Sequence, residues 1–315
     1  MVNGDMMNRW GVLVTVMCGA AFASCNFDKQ ILKPRKLDPN TTKLYRQIAR
    51  TDDSGRVHMD TTAVIDIGEH YQPTFTDTKG NPLKLDYTIE SVVFTNNTGT
   101  LLNGWMVKPK KTDKQVTLLF LHGIRNNVPG ESVKAIAMAE QGYQVFLVDY
   151  SGFGFSEGKA TRDNIPRDAE AALEYLRKRP DVINTHLLIY GQSMGAHFTP
   201  EVALSDTVAE GMILEGGFES WKAEAAFHVK HGVGFVARLF TKEDYNVKKA
   251  LKLYNRPVLV IHSNSDEVVP INMGRKLYSD ANEPKNYFEI SKCHVCGPIY
   301  YPEQISGKIM ELIKQ

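Results

Sequence analysis

The segment Leu187-Leu188-Ile189-Tyr190-Gly191-Gln192-Ser193-Met194-Gly195-Ala196 constrains the fold of this chain more than any other. An apolar run suited to a buried strand passes directly into Gly-x-Ser-x-Gly, and residues 196–204 continue as a helix-compatible stretch. A serine hydroxyl is a poor nucleophile unless it is held exposed against a base, and a sharp strand-to-helix turn holds it so. Such a turn crowds the chain two residues to either side. Gly191 and Gly195 stand at those positions, lacking a Cβ and tolerating strained dihedrals. A helix starting just after Ser193 also directs its first amides toward the turn, where charge on a reacting oxygen would develop. The stretch therefore predicts an activated serine at the C-terminal end of a buried strand.

Composition narrows the remainder. A chain of 315 residues, 43% of them hydrophobic, can bury a large α/β core. Its formal net charge of +1 offers nothing to a nucleic acid backbone, so no nucleic acid partner is expected. Four cysteines (18, 25, 293 and 296) are too few for a disulfide scaffold.

The N-terminus reads as an address. Arg9 precedes an apolar run over residues 10–23, which closes on Phe22-Ala23-Ser24-Cys25 and turns polar at Asn26. The run is short for a bilayer span of about 20 residues and suits a signal peptide over residues 1–24. A start at Met6 or Met7 would give a cleaner signal, and Cys18 would leave with it. Small residues directly before a cysteine resemble a bacterial lipoprotein signal, although Phe22 departs from the Leu usual three residues before that cysteine. The resemblance implies lipidation of Cys25 and an exported protein of a bacterial cell envelope, anchored in the membrane. The polar stretch 33–62 then reads as a tether within an N-terminal extension (residues 25–85), with a short helix over 42–50 and an extra strand over 57–67.

Further on, residues 89–94 and 101–107 alternate around Asn96-Asn97-Thr98-Gly99, a hairpin signal. Val116-Thr117-Leu118-Leu119-Phe120-Leu121 suits a strand buried on both faces. Strands at 144–149, 210–214, 257–262 and 287–290 alternate with helices at 132–141, 163–178 (capped by Asp163), from 271 and from 302. This order predicts a doubly wound, mostly parallel sheet with an antiparallel N-terminal hairpin at its edge.

Three motifs carry a family resemblance: Leu121-His122-Gly123, the run from Asp149-Tyr150-Ser151-Gly152 to Gly158, and Gly191-Gln192-Ser193-Met194-Gly195. Over residues 90–315 the chain resembles the serine-aminopeptidase-like branch of the α/β-hydrolases, nearest to its small-capped Bem46-like members. The resemblance implies an α/β-hydrolase domain over 86–315 with the chain order serine, acid, histidine. His197, His228, His231, His262 and His294 follow Ser193. His294 stands where the family places its base. Asp266, in Ser263-Asn264-Ser265-Asp266-Glu267-Val268-Val269-Pro270, matches the family's acid, with Glu215 as the alternative position. The implied oxyanion donors are the amides of Ile124 and Met194, with His122 and Gly123 shaping the loop before Ile124. Arg125-Asn126-Asn127 departs from the family there. The resemblance implies hydrolysis of a carboxylic ester or thioester, with peptide hydrolysis or a non-catalytic binding role as rivals, and neither metal nor organic cofactor.

Two features extend the reading. Cys293-His294-Val295-Cys296 reads by default as two unpaired thiols, with a small disulfide or redox switch as the alternative. A zinc site would need about four ligands. Residues 216–255 form an insertion carrying Phe218, Trp221, Phe227, Val233, Phe235, Val236, Leu239 and Phe240 near helical spacing. It predicts one or two cap helices, either admitting a small-molecule or lipid-like acyl group or merely packing the cap onto the body.

Overall fold

The computed structural model describes residues 32–51, 57–205, 207–228 and 245–315. The stretch expected to be a signal (residues 1–24), Cys25, His231 and the insertion residues Val233, Phe235, Val236, Leu239 and Phe240 lie outside them.

The elements begin with strands β1 (Lys43–Thr51), β2 (Val57–Ile67) and β3 (Pro73–Thr76), followed by the hairpin β4 (Tyr87–Thr95) and β5 (Leu101–Pro109). Then come β6 (Val116–Leu121), α1 (Val128–Glu140), β7 (Gln144–Val148), α2 (Asn164–Arg177), β8 (His186–Gln192), α3 (Met194–Ser205) and β9 (Gly211–Glu215). The last part contains α4 (Trp221–His228), α5 (Val247–Leu253), β10 (Val258–Ser263), α6 (Ile271–Asp280), β11 (Lys285–Ile290), α7 (Gly297–Tyr300) and α8 (Pro302–Leu312).

The main sheet has eight strands in the order β11-β10-β9-β8-β6-β7-β5-β4. From β7 through β6, β8, β9 and β10 to β11 the pairings are parallel, while β5 pairs antiparallel with both β7 and β4. The apolar runs explain why helices cover both faces. Along β6, Leu119 and Leu121 face one core with α2, α3 and α6, while Val116, Leu118 and Phe120 face the other with α1 and α8. The same alternation divides Leu187 and Ile189 from Leu188 and Tyr190 on β8. Burying both faces of a strand leaves no polar alternation, so these strands read as continuous apolar segments. The doubly wound sheet is the α/β-hydrolase architecture.

Two expectations are corrected at the N-terminal end. The stretch expected to be helical over 42–50 is strand β1, paired antiparallel along β2. Leu44 packs against the core while Tyr45 is 64% exposed, as neighbours on opposite faces of a strand are, and the pairing overrides helical propensity. Nor is the chain a free tether from residue 32 onward. Arg35 O accepts from Asn127 Nδ2 and from Gly154 N, both at 3.0 Å, and Leu37 N donates to Gly154 O at 2.8 Å. The β1–β3 sheet buries Ala63, Ile65 and Phe75 into the core shared with α1 and α8. A smaller correction concerns α2. Asp163 makes no capping hydrogen bond, and Thr161 Oγ1 accepts from Asn164 N at 3.1 Å instead.

Candidate active site

Ser193 sits between β8 and α3 with φ +55°. A serine in this left-handed region costs about 1–3 kcal/mol and persists only where its surroundings dictate it. Those surroundings are close backbone contacts. A Cβ on Gly191 would lie 2.2 Å from Thr199 Oγ1 and 2.7 Å from Ala196 N, and one on Gly195 would lie 2.1 Å from Leu121 O. Ser193 N donates to Glu215 O at 2.9 Å and Ser193 O accepts from His197 N at 3.1 Å. The turn is thus wedged between β6, β9 and its own helix.

His294 follows β11, and Asp266 follows β10, so adjacent strand ends bring them together. His294 Nδ1–H donates to Asp266 Oδ2 at 2.6 Å. With Nδ1 carrying the proton, Nε2 keeps its lone pair in the neutral ring. The other Asp266 oxygen accepts from Val268 N and Val269 N, each at 2.9 Å. Burial pushes the Asp266 carboxyl up, but the His294 contact and these two amides outweigh it and hold it below its ordinary value. The carboxylate is completely buried, whereas the ring keeps 16% of its surface exposed.

Ser193 and His294 line a common cleft of about 610 Å³ with Gly123, Ile124, Met194, Phe218, Trp221 and Val268. Met194 opens α3, so its amide is among those left without an intrahelical acceptor. Gly123 lies across from the serine, with a Cβ there 3.3 Å from Ser193 Cβ. His122 is fully buried and shapes this loop: its Nδ1–H donates to Gly123 O at 2.7 Å and its ring packs on Tyr150 and Phe153.

Two further histidines after Ser193, His262 and His197, are buried among the described residues. His262 is buried in β10 behind the acid: its Nε2–H donates to Val269 O at 2.9 Å, and Nε2 lies 3.5 Å from Asp266 Oδ2. Burial is the main cause holding its pKa below the ordinary value. His197 is buried among Phe198, Phe218, Trp221 and Tyr245, stacked on Phe218 at 4.5 Å. Its Nδ1–H donates to Phe218 O at 3.1 Å, and burial pushes its pKa down to about 4. Glu215, the alternative acid, has both oxygens occupied. Oε1 accepts from Gly297 N at 2.7 Å, and Oε2 accepts from Tyr190 OH and from Gln192 Nε2.

The default reading of the Cys-His-Val-Cys run is overturned: Cys293 and Cys296 form a disulfide across His294. Their thiols meet because Val295, with φ +47°, turns the chain back on itself. Sequence reasoning also missed the polar residues beneath the cleft. Lys134 Nζ donates to Gln192 Oε1 at 2.9 Å and pairs with Glu131 at 2.7 Å, and Asn126 Nδ2 donates to Glu131 Oε1 at 2.6 Å. The i, i+3 spacing of Glu131 and Lys134 was visible as a helical charge pair, but nothing local placed it inside the molecule.

Fold and cleft together define an α/β-fold serine hydrolase. A family model described as "Serine aminopeptidase, S33" matches residues 112–243. The uncharacterized protein YfhR of Escherichia coli is 32% identical over 206 residues, covering 63% of this chain and 70% of its own. Human alpha/beta hydrolase domain-containing protein 17B is 31% identical over 207 residues, covering 63% of this chain and 65% of its own. Among solved structures, a Pyrococcus furiosus esterase superposes with TM-score 0.61 at 20% identity, over 72% of this chain and 91% of that one. This chain belongs to the serine-aminopeptidase-like branch of the α/β-hydrolases.

Proposed function

We propose that the protein hydrolyses a carboxylic ester or thioester through an acyl-enzyme. Ser193 Oγ attacks the carbonyl carbon while His294 Nε2 takes its proton, and Asp266 holds the ring in the required tautomer. The amides of Ile124 and Met194 receive the oxyanion, each contributing about 3 kcal/mol of transition-state stabilisation. The tetrahedral intermediate collapses, His294 returns the proton to the leaving alcohol or thiol, and water attacking by the same route releases the acid. The observation that carries this reading is the 2.6 Å bond from His294 to a buried Asp266, facing the same cleft as a serine held at positive φ. Ile124, Met194, Phe218 and Trp221 offer apolar walls to an acyl group, while Arg125, Glu224 and Glu267 also line the cleft.

The anchoring is part of the same proposal. Cys25 carries lipid and residues 26–31 link it to the clasp at Arg35, which holds the body close to an envelope membrane. The support is the apolar run ending in Phe22-Ala23-Ser24-Cys25. Mass spectrometry of the mature N-terminus checks this directly, and an unmodified Cys25 would remove the anchor.

Labelling with a fluorophosphonate, read by peptide mass spectrometry beside Ser193→Ala, tests the chemistry. The expected result is an adduct on the Ser193 peptide that the variant lacks, followed by turnover of acyl esters graded by chain length. No adduct on folded protein would favour a binding role, and turnover confined to aminoacyl amides would favour a peptidase.

A further inference from the structure

Glu215 is the last residue of β9, and its two ends reach the two halves of the cleft. Its main-chain oxygen accepts from Ser193 N at 2.9 Å, the amide of the candidate nucleophile. Its side chain is almost completely buried and accepts from Gly297 N at 2.7 Å, three residues beyond His294. Gln192, directly before Ser193, adds a second link: its Nε2 donates both to Glu215 Oε2 and to Val295 O, the latter at 3.3 Å. The next residue, Gly216, has φ +57°, and a Cβ there would stand 3.0 Å from His294 Cε1 and 2.7 Å from Val295 Cγ1. The histidine ring therefore rests against this glycine, and Glu215 fixes the backbone on both sides of the contact.

A carboxylate suits this place for a physical reason. Three donors converge on it, from Gly297 N, Gln192 Nε2 and Tyr190 OH, and only an acceptor with two charged oxygens satisfies them all. An amide would offer one oxygen and turn its NH₂ toward donors. Gln192 links the carboxylate to a cation one step further out: its Oε1 accepts from Lys134 Nζ at 2.9 Å. Lys134 in turn pairs with Glu131, which accepts from Asn126, a residue lining the cleft beside Ile124.

We propose that Glu215 is a positioning residue for the reaction: its buried carboxylate sets the distance of the His294 loop from Ser193. Asp266 fixes which way the ring faces, and Glu215 fixes where the loop carrying it stands. The proposal rests on the reading of Ser193 and His294 as nucleophile and base. Misplacing a reacting group by about 1 Å costs up to about 100-fold in rate, which sets the size of the effect.

The test is Glu215→Gln in the full chain. It compares kcat, KM, fluorophosphonate labelling rate and hydrogen–deuterium exchange of the peptide containing residues 293–297. The expected result is kcat lower by about 10- to 100-fold, KM within about twofold, slower labelling in proportion and faster exchange in that peptide. A lower melting temperature with kcat and labelling rate unchanged per folded molecule would reduce Glu215 to a stabilising residue and overturn the proposal. Unchanged exchange at 293–297 would overturn it as well, and this readout stands even if wild-type Ser193 proves unreactive. Should Glu215→Gln not fold, Gln192→Met removes the links to Glu215 Oε2 and Val295 O at similar volume and carries the same expectation.

Discussion

The two sides of the cleft are held by different forces. On the Ser193 side, position comes from exclusion: Gly191 and Gly195 stand where any Cβ would strike Thr199, Ala196 or the Leu121 carbonyl. On the His294 side, position comes from hydrogen bonds: Asp266 to the ring, with Gln192 and Glu215 to the loop backbone. Steric confinement fails abruptly and takes the local fold with it, because packed backbone has nowhere to relax. Polar confinement can lose one bond and leave the chain folded, with only the chemistry damaged. Substitutions on the two sides should therefore separate stability from activity.

The largest expected effect is on the polar side. Asp266→Asn keeps the volume and one acceptor oxygen, but removes the charge that fixes the His294 tautomer and stabilises the protonated ring. The expected loss is about 10³- to 10⁴-fold in kcat, or about 4–5.5 kcal/mol of barrier, with the melting temperature changed by only a few degrees. Steady-state ester kinetics beside a thermal melt checks both halves. Activity within tenfold of wild type would mean that the orienting acid lies elsewhere.

Next comes Gly195→Ala on the packed side. A methyl 2.1 Å from Leu121 O cannot be absorbed by a rotamer change, since the obstacle is the backbone of β6. The expected cost is about 3 kcal/mol of stability, read by denaturant unfolding, together with loss of Ser193 labelling. A stably folded Gly195→Ala protein that still labels would show that the turn is looser than the contacts imply.

The same contrast explains what the sequence disclosed. Steric requirements leave a local signature, because only glycine satisfies them: Gly191 and Gly195 framed Ser193 two residues to either side. The strands were legible because burial on both faces makes them wholly apolar, as in residues 116–121. Asp266 and His294 came from the family pattern, each lying at a strand end. The polar clamp was not legible, since Glu215, Gln192, Lys134 and Glu131 meet only once β8, β9 and α1 are packed together. Strand β1 was misread for a related reason. It is a strand only through its pairing with β2, from Lys43 against Asp66 at one end to Thr51 against Val57 at the other. The disulfide too depends on a turn at Val295 that the local composition does not announce.

The smallest effect sharpens the comparison, because it puts a titrating group on the packed side. His197 lies one helical turn beyond Ser193 and is fully buried in an aromatic cage, with its pKa pushed from its ordinary 6.5 down to about 4. The unfolded chain binds a proton below about pH 6.5 that the folded chain refuses until about pH 4. Stability from this site is therefore complete above pH 6.5 and is lost as pH falls through the window toward 4. By pH 5 the loss amounts to about 2 kcal/mol, an order-of-magnitude figure from linkage. His197→Phe removes the proton site while keeping an aromatic ring beside Phe218 and Trp221. The variant's unfolding free energy, measured at pH 7 and pH 5, should fall less between the two than that of the wild type. Its Ser193 labelling rate at pH 7 should stay within about threefold, since the imidazole acts here through packing and not through proton transfer. An unchanged pH dependence of stability would mean that His197 is protonated as readily in the fold as outside it, and that the aromatic cage admits water.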